Sequence, residues 1–190
     1  MKRRAVFIDR DGTISEEVGY VNHPSRFRVF PYSADAIRTL NENGWLAILI
    51  TNQAGVARGY FSEELLTKVH DQLKRDLENN SAQLDAIYYC AHHPSAGEPP
   101  YRFDCDCRKP KPGLIQQAAA DFDIDLAESW MAGDRYSDVE LARNAGLRSV
   151  FLLSGYGRGE WEFQSQTWKH RPDMVCENLL EAVKSIVNNG

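Results

Sequence analysis

The stretch Ala5-Val6-Phe7-Ile8-Asp9-Arg10-Asp11-Gly12-Thr13 constrains the fold more than any other. Four apolar residues run without alternation into two acids separated by one residue. A short unbroken apolar run predicts a strand covered on both faces, as in parallel sheets. Such a strand hands its loop to the carboxyl edge, where open α/β sheets bind ligands. Asp9 and Asp11 are expected at that edge, with Gly12 permitting a tight turn beyond them. Two carboxylates so close repel unless a cation lies between them or one takes a proton. A hard divalent ion, Mg²⁺, meets that need with few carboxylates plus water and phosphate oxygens. Taken alone, Asp-x-Asp also suits an Asx turn that closes a strand.

The pattern recurs along the chain. Leu46-Ala47-Ile48-Leu49-Ile50 predicts a second buried strand, delivering Thr51-Asn52-Gln53 to the same edge. A hydroxyl and an amide there can hold phosphate oxygens, although taken alone a helix cap or turn is the readier account of them. Residues 84–89 predict a third strand, 129–133 a fourth ending in Asp134, 148–153 a fifth, and 173–176 a short edge strand. Helices are predicted over 33–43, after a Ser62 cap with Leu66, Val69, Leu73 and Leu77 inward, and over 113–122 after Pro112. A fourth begins at Ser137 or Asp138 and stops at Gly146, and 178–187 closes the chain. Residues 155–171 read as irregular, covering the sheet or lining the site. Alternating strands and helices predict an α/β fold, a three-layer αβα sandwich on a mostly parallel Rossmann-like sheet. The length of 190 residues suits a single domain over 1–190, with no repeat or linker.

Three of the four cysteines cluster. Cys90-x-His92 and Cys105-x-Cys107 bracket a loop at about 90–107, and three thiolates with one imidazole make a closed tetrahedral zinc site. Cys176 reads as a buried apolar residue. Arg108-Lys109-Pro110-Lys111-Pro112 follows the second pair at once, so the zinc loop is expected to aim a stiff basic run at an anion. The long connection 15–31 places Glu17, Val18, Gly19 and Tyr20 beside the two aspartates. The net charge of −5 disfavours nucleic acid and anionic membranes as partners. Lys2-Arg3-Arg4 precedes an apolar run too short for an export signal, so a cytoplasmic protein is expected. No stretch is long and apolar enough to span a bilayer.

Asp9, Asp11, Thr51, Asn52, Lys109 and Asp134 thus converge on one edge, a set suited to phosphoryl transfer. Asp9 is the candidate nucleophile and Asp11 the proton donor and acceptor. Mg²⁺ is expected on Asp9, Asp134 and a backbone carbonyl at Asp11, with Thr51, Asn52 and Lys109 on the phosphoryl oxygens.

These motifs, in this order, resemble the haloacid dehalogenase (HAD) superfamily of phosphatases. Asp9-Arg10-Asp11-Gly12-Thr13-Ile14, Gly19-Tyr20-Val21, residues 51–59 and Cys105-Asp106-Cys107-Arg108-Lys109-Pro110 resemble more closely the D-glycero-D-manno-heptose-1,7-bisphosphate 7-phosphatase family, over nearly the whole chain. The resemblance implies a HAD fold without a large cap domain, a zinc loop in its place, and removal of the 7-phosphate through an aspartyl-phosphate. The pathway implied is nucleotide-activated heptose for lipopolysaccharide core or related glycans. It implies Mg²⁺ on Asp9, Asp11, Asp134 and the backbone at Arg135, and Zn²⁺ on Cys90, His92, Cys105 and Cys107. Substrate contacts would come from Glu17, Val18, Gly19, Tyr20, Thr51, Asn52, Gln53, Ala54, Arg108, Lys109 and Arg135. A lysine is common in the family where this chain has Arg135, whose reach and fork differ. The expected partner is a small sugar bisphosphate, taken by a monomer, with no nucleic acid or membrane partner. Histidinol-phosphate phosphatases share the motifs but have a shorter zinc loop and lack Ala57-Arg58-Gly59. DNA 3′-phosphatases call for a basic groove, and a zinc-stabilised binding module would not need the full catalytic set.

Overall fold

In the computed structural model, which describes residues 2–189, each apolar run becomes a strand. These are β1 (Ala5–Ile8), β2 (Leu46–Asn52), β3 (Ala86–Cys90), β4 (Trp130–Gly133), β5 (Arg148–Leu152) and β6 (Met174–Cys176). They form one six-stranded parallel sheet in the order β3-β2-β1-β4-β5-β6. The helices are α1 (Ser33–Glu42), α2 (Glu63–Glu78), α3 (Gly113–Phe122), α4 (Tyr136–Ala145), α5 (Gly157–Gln164) and α6 (Leu179–Asn189). Among the described residues there is no large cap, and no helix is long and apolar enough to cross a membrane.

The apolar run of β1 is unalternated because both of its faces are buried. Val6 and Ile8 face a core with residues of α1, α2 and α6, including Ile37, Leu40, Val69, Leu73 and Val183. Ala5 and Phe7 face a second core with Leu114, Ile115 and Ala118 of α3 and Leu141 and Ala142 of α4. β1 pairs with β2 on one side and β4 on the other, and the chain order reverses between β1 and β4. A crevice opens at the carboxyl ends of strands at such a switch point. Asp9 leaves β1 there, its N–H bonded to the Ala132 carbonyl of β4 at 3.0 Å.

Two local expectations are corrected. Residues 155–171 are not irregular: they form α5 and a short 3₁₀ turn over Ser165–Thr167. Their aromatics do cover the sheet, with Trp168 edge-on to Phe151 of β5 at 4.9 Å between ring centres and Trp161 at 5.9 Å. The N-cap of α4 is Arg135, and Asp138, three residues on, reaches back to its N–H. Lys109 lies in the turn before α3, which spans the predicted range.

Phe7 is fully buried at the centre of the sheet. Phe7→Ala should lower the unfolding free energy by about 3–5 kcal/mol, read from the midpoint of a urea transition.

Candidate active site

Asp9, Asp11, Glu17, Gly19, Thr51, Asn52, Arg108, Lys109, Arg135 and Ser137 line one cleft of about 240 Å³ at the switch point. Its floor is a buried cluster of Asp9, Asp134 and Asp138, with one carboxylate oxygen from each lying within 4.8 Å of the others. β1 presents Asp9, β4 presents Asp134, and the first turn of α4 presents Asp138. The ammonium of Lys109 lies 2.7 Å from Asp9 Oδ1 and 2.7 Å from Asp138 Oδ1. Its contact with Asp138 is an ion pair rather than an aligned hydrogen bond. Burial works against the Lys109 charge, but Asp138 and then Asp9 outweigh it and hold its pKa above the ordinary lysine value.

The backbone of Lys109 is clamped as well. Asn52 Oδ1 accepts from the Lys109 N–H at 3.0 Å, and Asn52 Nδ2 donates to its carbonyl at 3.1 Å. The Asn52 amide, expected on a phosphate, therefore holds the lysine that would make that contact. Asn52 still borders the cleft. The Thr51 hydroxyl is buried and accepts from Gln53 Nε2 at 2.9 Å, which leaves its own proton to donate.

The two aspartates of the opening motif have different surroundings. Asp9 Oδ1 takes Lys109 and the Arg10 N–H at 2.7 Å, and no donor among the described residues is bonded to its Oδ2. The Asp11 carboxylate is gripped by Arg10 and by Gln53 Nε2 at 2.9 Å. It stands outside the acidic cluster, and its main-chain carbonyl is the ligand expected of it. The resemblance also places a backbone ligand at Arg135. Its N–H donates to Asp138 Oδ2 at 3.2 Å and its carbonyl accepts from the Asp138 N–H at 3.0 Å, which ties both groups into the cap of α4.

Asp134 is enclosed by backbone. Its Oδ2 accepts from the Tyr156 N–H at 2.8 Å and its Oδ1 from Thr13 Oγ1 at 3.4 Å. Gly12, at φ +81°, would place a Cβ 2.2 Å from Asp134 Oδ2, so no other residue fits there without displacing the carboxylate. Burial, then Asp9 and Asp138, raise the Asp134 pKa well above the carboxylate range. Burial likewise pushes Asp9 up to about 7, against the pull of Lys109. Three buried carboxylates around one ammonium are short of positive charge. The hard oxygen donors of Asp9 and Asp134 fit a small divalent cation.

The expected Glu17–Tyr20 stretch divides. Glu17 and Gly19 line the cleft, whereas Val18 and Tyr20 line an adjoining groove with Arg26 and Tyr60. Burial raises the Glu17 carboxyl above its usual range, and the Gly19 N–H bond opposes it. Gln53 and Ala54 do not border the cleft; Gln53 is buried behind it as a tether. Arg135 lines the cleft with its guanidinium paired to Glu160 at 2.6 Å and 4.5 Å over the Tyr156 ring.

The predicted Cys/His set assembles beside the cleft. Cys90 ends β3, opposite Asn52 of β2. The three sulfurs lie 3.2–3.5 Å apart and His92 Nδ1 lies 3.3 Å from Cys107 Sγ. Those separations exceed a disulfide bond by more than 1 Å, and all four cysteines are free. They are close to the edges of about 3.8 Å that a tetrahedral ion with sulfur at 2.3 Å requires. His93 takes no part: its Nδ1 accepts from the Ala96 N–H at 3.0 Å and its Nε2 meets Arg58. Cys176 is buried.

Residues not foreseen in the site are Asp138 as partner of Lys109, Ser137 in the lining, and Arg10 and His70 behind Asp11. The acid at the third position of α4 was readable as a cap, but its ion pair with Lys109 spans a separation no local pattern reports.

Comparison with known proteins agrees with this geometry. The HAD-hydrolase-like family model matches residues 106–182. The D-glycero-beta-D-manno-heptose-1,7-bisphosphate 7-phosphatase of Haemophilus ducreyi is 42% identical over 154 residues, covering 80% of this chain and 84% of that protein. The D-glycero-D-manno-heptose-1,7-bisphosphate 7-phosphatase of Thermosynechococcus vestitus is 38% identical, covering 98% of this chain and 96% of its own. Among solved structures, D,D-heptose 1,7-bisphosphate phosphatase from B. bronchiseptica, complexed with magnesium and phosphate, superposes with a TM-score of 0.87. It is 31% identical, with 98% of this chain and 99% of that chain covered.

Without a divalent cation, the raised Asp9 carboxyl makes the folded chain bind more protons than the unfolded one between about pH 4 and about pH 7. Stability should therefore fall as pH rises through that window. In magnesium-free buffer Tm should drop across it, a divalent cation should restore Tm most at the upper end, and Asp9→Asn should flatten the slope.

Proposed function

The chain belongs to the D-glycero-D-manno-heptose-1,7-bisphosphate 7-phosphatase family, and we propose that it is a magnesium-dependent phosphatase that removes the 7-phosphate of that sugar bisphosphate. The observation that carries the reading is Asp9, with one oxygen held by Lys109 and the Arg10 N–H and the other without a protein donor at the cleft.

Asp9 Oδ2 attacks phosphorus as the bond from phosphorus to the sugar oxygen breaks, giving an aspartyl-phosphate and an alkoxide that takes its proton from Asp11. Asp11 then removes a proton from the water that attacks the same phosphorus. The acyl-phosphate bond breaks, inorganic phosphate leaves and Asp9 is restored. Thr51 and Lys109 hold the phosphoryl oxygens throughout. Mg²⁺, held by Asp9 and Asp134 with the main chain at Asp11, supplies the neutralising charge that lets an anionic nucleophile meet an anionic phosphate.

Zinc on Cys90, His92, Cys105 and Cys107 fixes the loop 90–107. Arg108 and Lys109 follow Cys107 directly, so the ion sets where both point. Arg108 lines the cleft while donating to the His92 carbonyl at 3.3 Å. Its remaining N–H groups suit the remote phosphate at C1 or sugar hydroxyls. The chain works as one domain and as a monomer on a small-molecule substrate. The free thiols support a reducing compartment, the cytoplasm.

Asp9→Asn should keep the fold by circular dichroism and abolish turnover of the heptose bisphosphate; near-normal turnover would remove the covalent route. Arg108→Ala should lower kcat/KM for the bisphosphate by about 10- to 100-fold, the loss of one charge-assisted contact. An aryl phosphate, with no remote group, should change far less. Histidinol phosphate, whose far end is cationic, should be poor throughout.

Elemental analysis should find about one zinc per chain. Cys107→Ser should lower that content and with it the activity.

A further inference from the structure

Arg10 is a full cation with 1% of its surface exposed, and no step of the reaction uses it. A buried guanidinium is costly unless its N–H groups find partners. Its Nε and Nη2 grip Asp11: Nε meets Oδ1 at 3.0 Å, and Nη2 meets Oδ1 at 2.9 Å and Oδ2 at 2.8 Å. Its Nη1 points the other way, to Nε2 of His70 on α2 at 3.3 Å. Arginine keeps its protons, so His70 Nε2 is the acceptor and the ring carries its single proton on Nδ1. Burial, then Arg10 and Lys74, push the His70 pKa down to about 3, which keeps the ring neutral.

Packing alone does not explain a histidine here. The inward positions of α2 are otherwise Leu66, Val69, Leu73 and Leu77, and an apolar side chain would serve that face. It would also leave Nη1 buried without an acceptor. The guanidinium is held on a third side by Phe27, whose ring centre lies 5.8 Å from Cζ. On its far side the Asp11 carboxylate is tied by Gln53, which also holds Thr51. His70, Arg10, Asp11, Gln53 and Thr51 thus form one chain of contacts from the outer helix to the cleft.

We propose that His70 is a positioning residue for proton transfer to the leaving group, acting through Arg10 to set the direction of the Asp11 carboxylate. The proposal rests on the phosphatase reading above. With Nη1 anchored, the guanidinium cannot swing away from Asp11, and its paired contacts keep the carboxylate turned toward the oxygen that departs. Without the acceptor, Nη1 seeks another partner and the grip on Asp11 loosens. Nucleophilic attack by Asp9 is not touched by this loss, because no contact of His70 or of the Arg10 side chain reaches Asp9.

The test compares two leaving groups in the full chain with magnesium. The heptose bisphosphate releases an alkoxide that needs a proton, whereas an aryl phosphate releasing nitrophenolate does not. Phosphoryl transfer to Asp9 governs kcat/KM in both. His70→Phe should lower kcat/KM for the bisphosphate by about 10- to 100-fold, part of the contribution of a general acid, and for the aryl phosphate by less than about threefold. His70→Gln, whose Oε1 can accept from Nη1, should recover most of the bisphosphate rate. An equal loss on both substrates, no loss on either, or a folded Gln variant no better than Phe would overturn the proposal. If His70→Phe does not fold, Arg10→Lys, which keeps the charge but cannot bridge Asp11 and His70, should show the same selective loss, and an equal loss again overturns it. A wild type inactive on both substrates removes the phosphatase reading and this proposal together; a wild type active on both, with losses shared equally, removes this proposal alone.

Discussion

The ammonium of Lys109, 2.7 Å from both Asp9 and Asp138, makes the acidic floor of the cleft possible. Buried carboxylates with no counter-charge take protons instead of remaining anions. One lysine neutralises part of three acids, and what remains unbalanced is the affinity for a metal. Everything that places Lys109 therefore acts on the whole site. Asn52 of β2 fixes its backbone, the Ile50 carbonyl accepts from its Nζ at 3.3 Å, and the thiol cluster ends two residues before it. The Cys/His loop therefore bears on the cleft without lining it.

The two aspartates of the opening motif are separated in role by their neighbours. Asp9 continues β1 and is tied through its N–H to β4, so the sheet determines its position. Asp11 has left the sheet and takes its direction from Arg10 and Gln53. In the proposed reaction the nucleophile benefits from that rigid support, and the group that first gives and then takes a proton needs a defined orientation. Residue spacing brings the two acids together, and the partners behind them give each a different setting.

Among the described residues the cleft has no large cap, and its walls come from connections. The 15–31 segment contributes Glu17 and Gly19, and the run after the Cys/His loop contributes Arg108. Beyond β5, the Tyr156 N–H holds Asp134 while Glu160 holds Arg135 at the rim. A cleft of about 240 Å³ between such walls suits a small, doubly phosphorylated sugar rather than a polymer.

The sequence by itself determined the parallel α/β sandwich, because buried strands and amphipathic helices write their burial locally, as β1 and α2 do. It also determined the aspartates at the strand ends and the four zinc-binding candidates, because both depend on residue type at short spacing. Tertiary structure alone decided the rest. The aromatic stretch at 155–171 has weak periodicity, so its helix was hidden until Trp161 and Trp168 packed on Phe151. That the Asn52 amide clamps Lys109 and the Gln53 amide ties Asp11 to Thr51 was not legible, since an amide is indifferent to partner and only its neighbours choose one. The Asp11 carboxylate stands outside the acidic cluster, held by Arg10, and Arg10 is held by His70, sixty positions away. Asp138 met Lys109 across twenty-nine positions, a pairing made by β4 and α4 packing beside the turn that precedes α3. Local patterns record which face is buried; which charge meets which is decided only when distant segments share one low-dielectric interior.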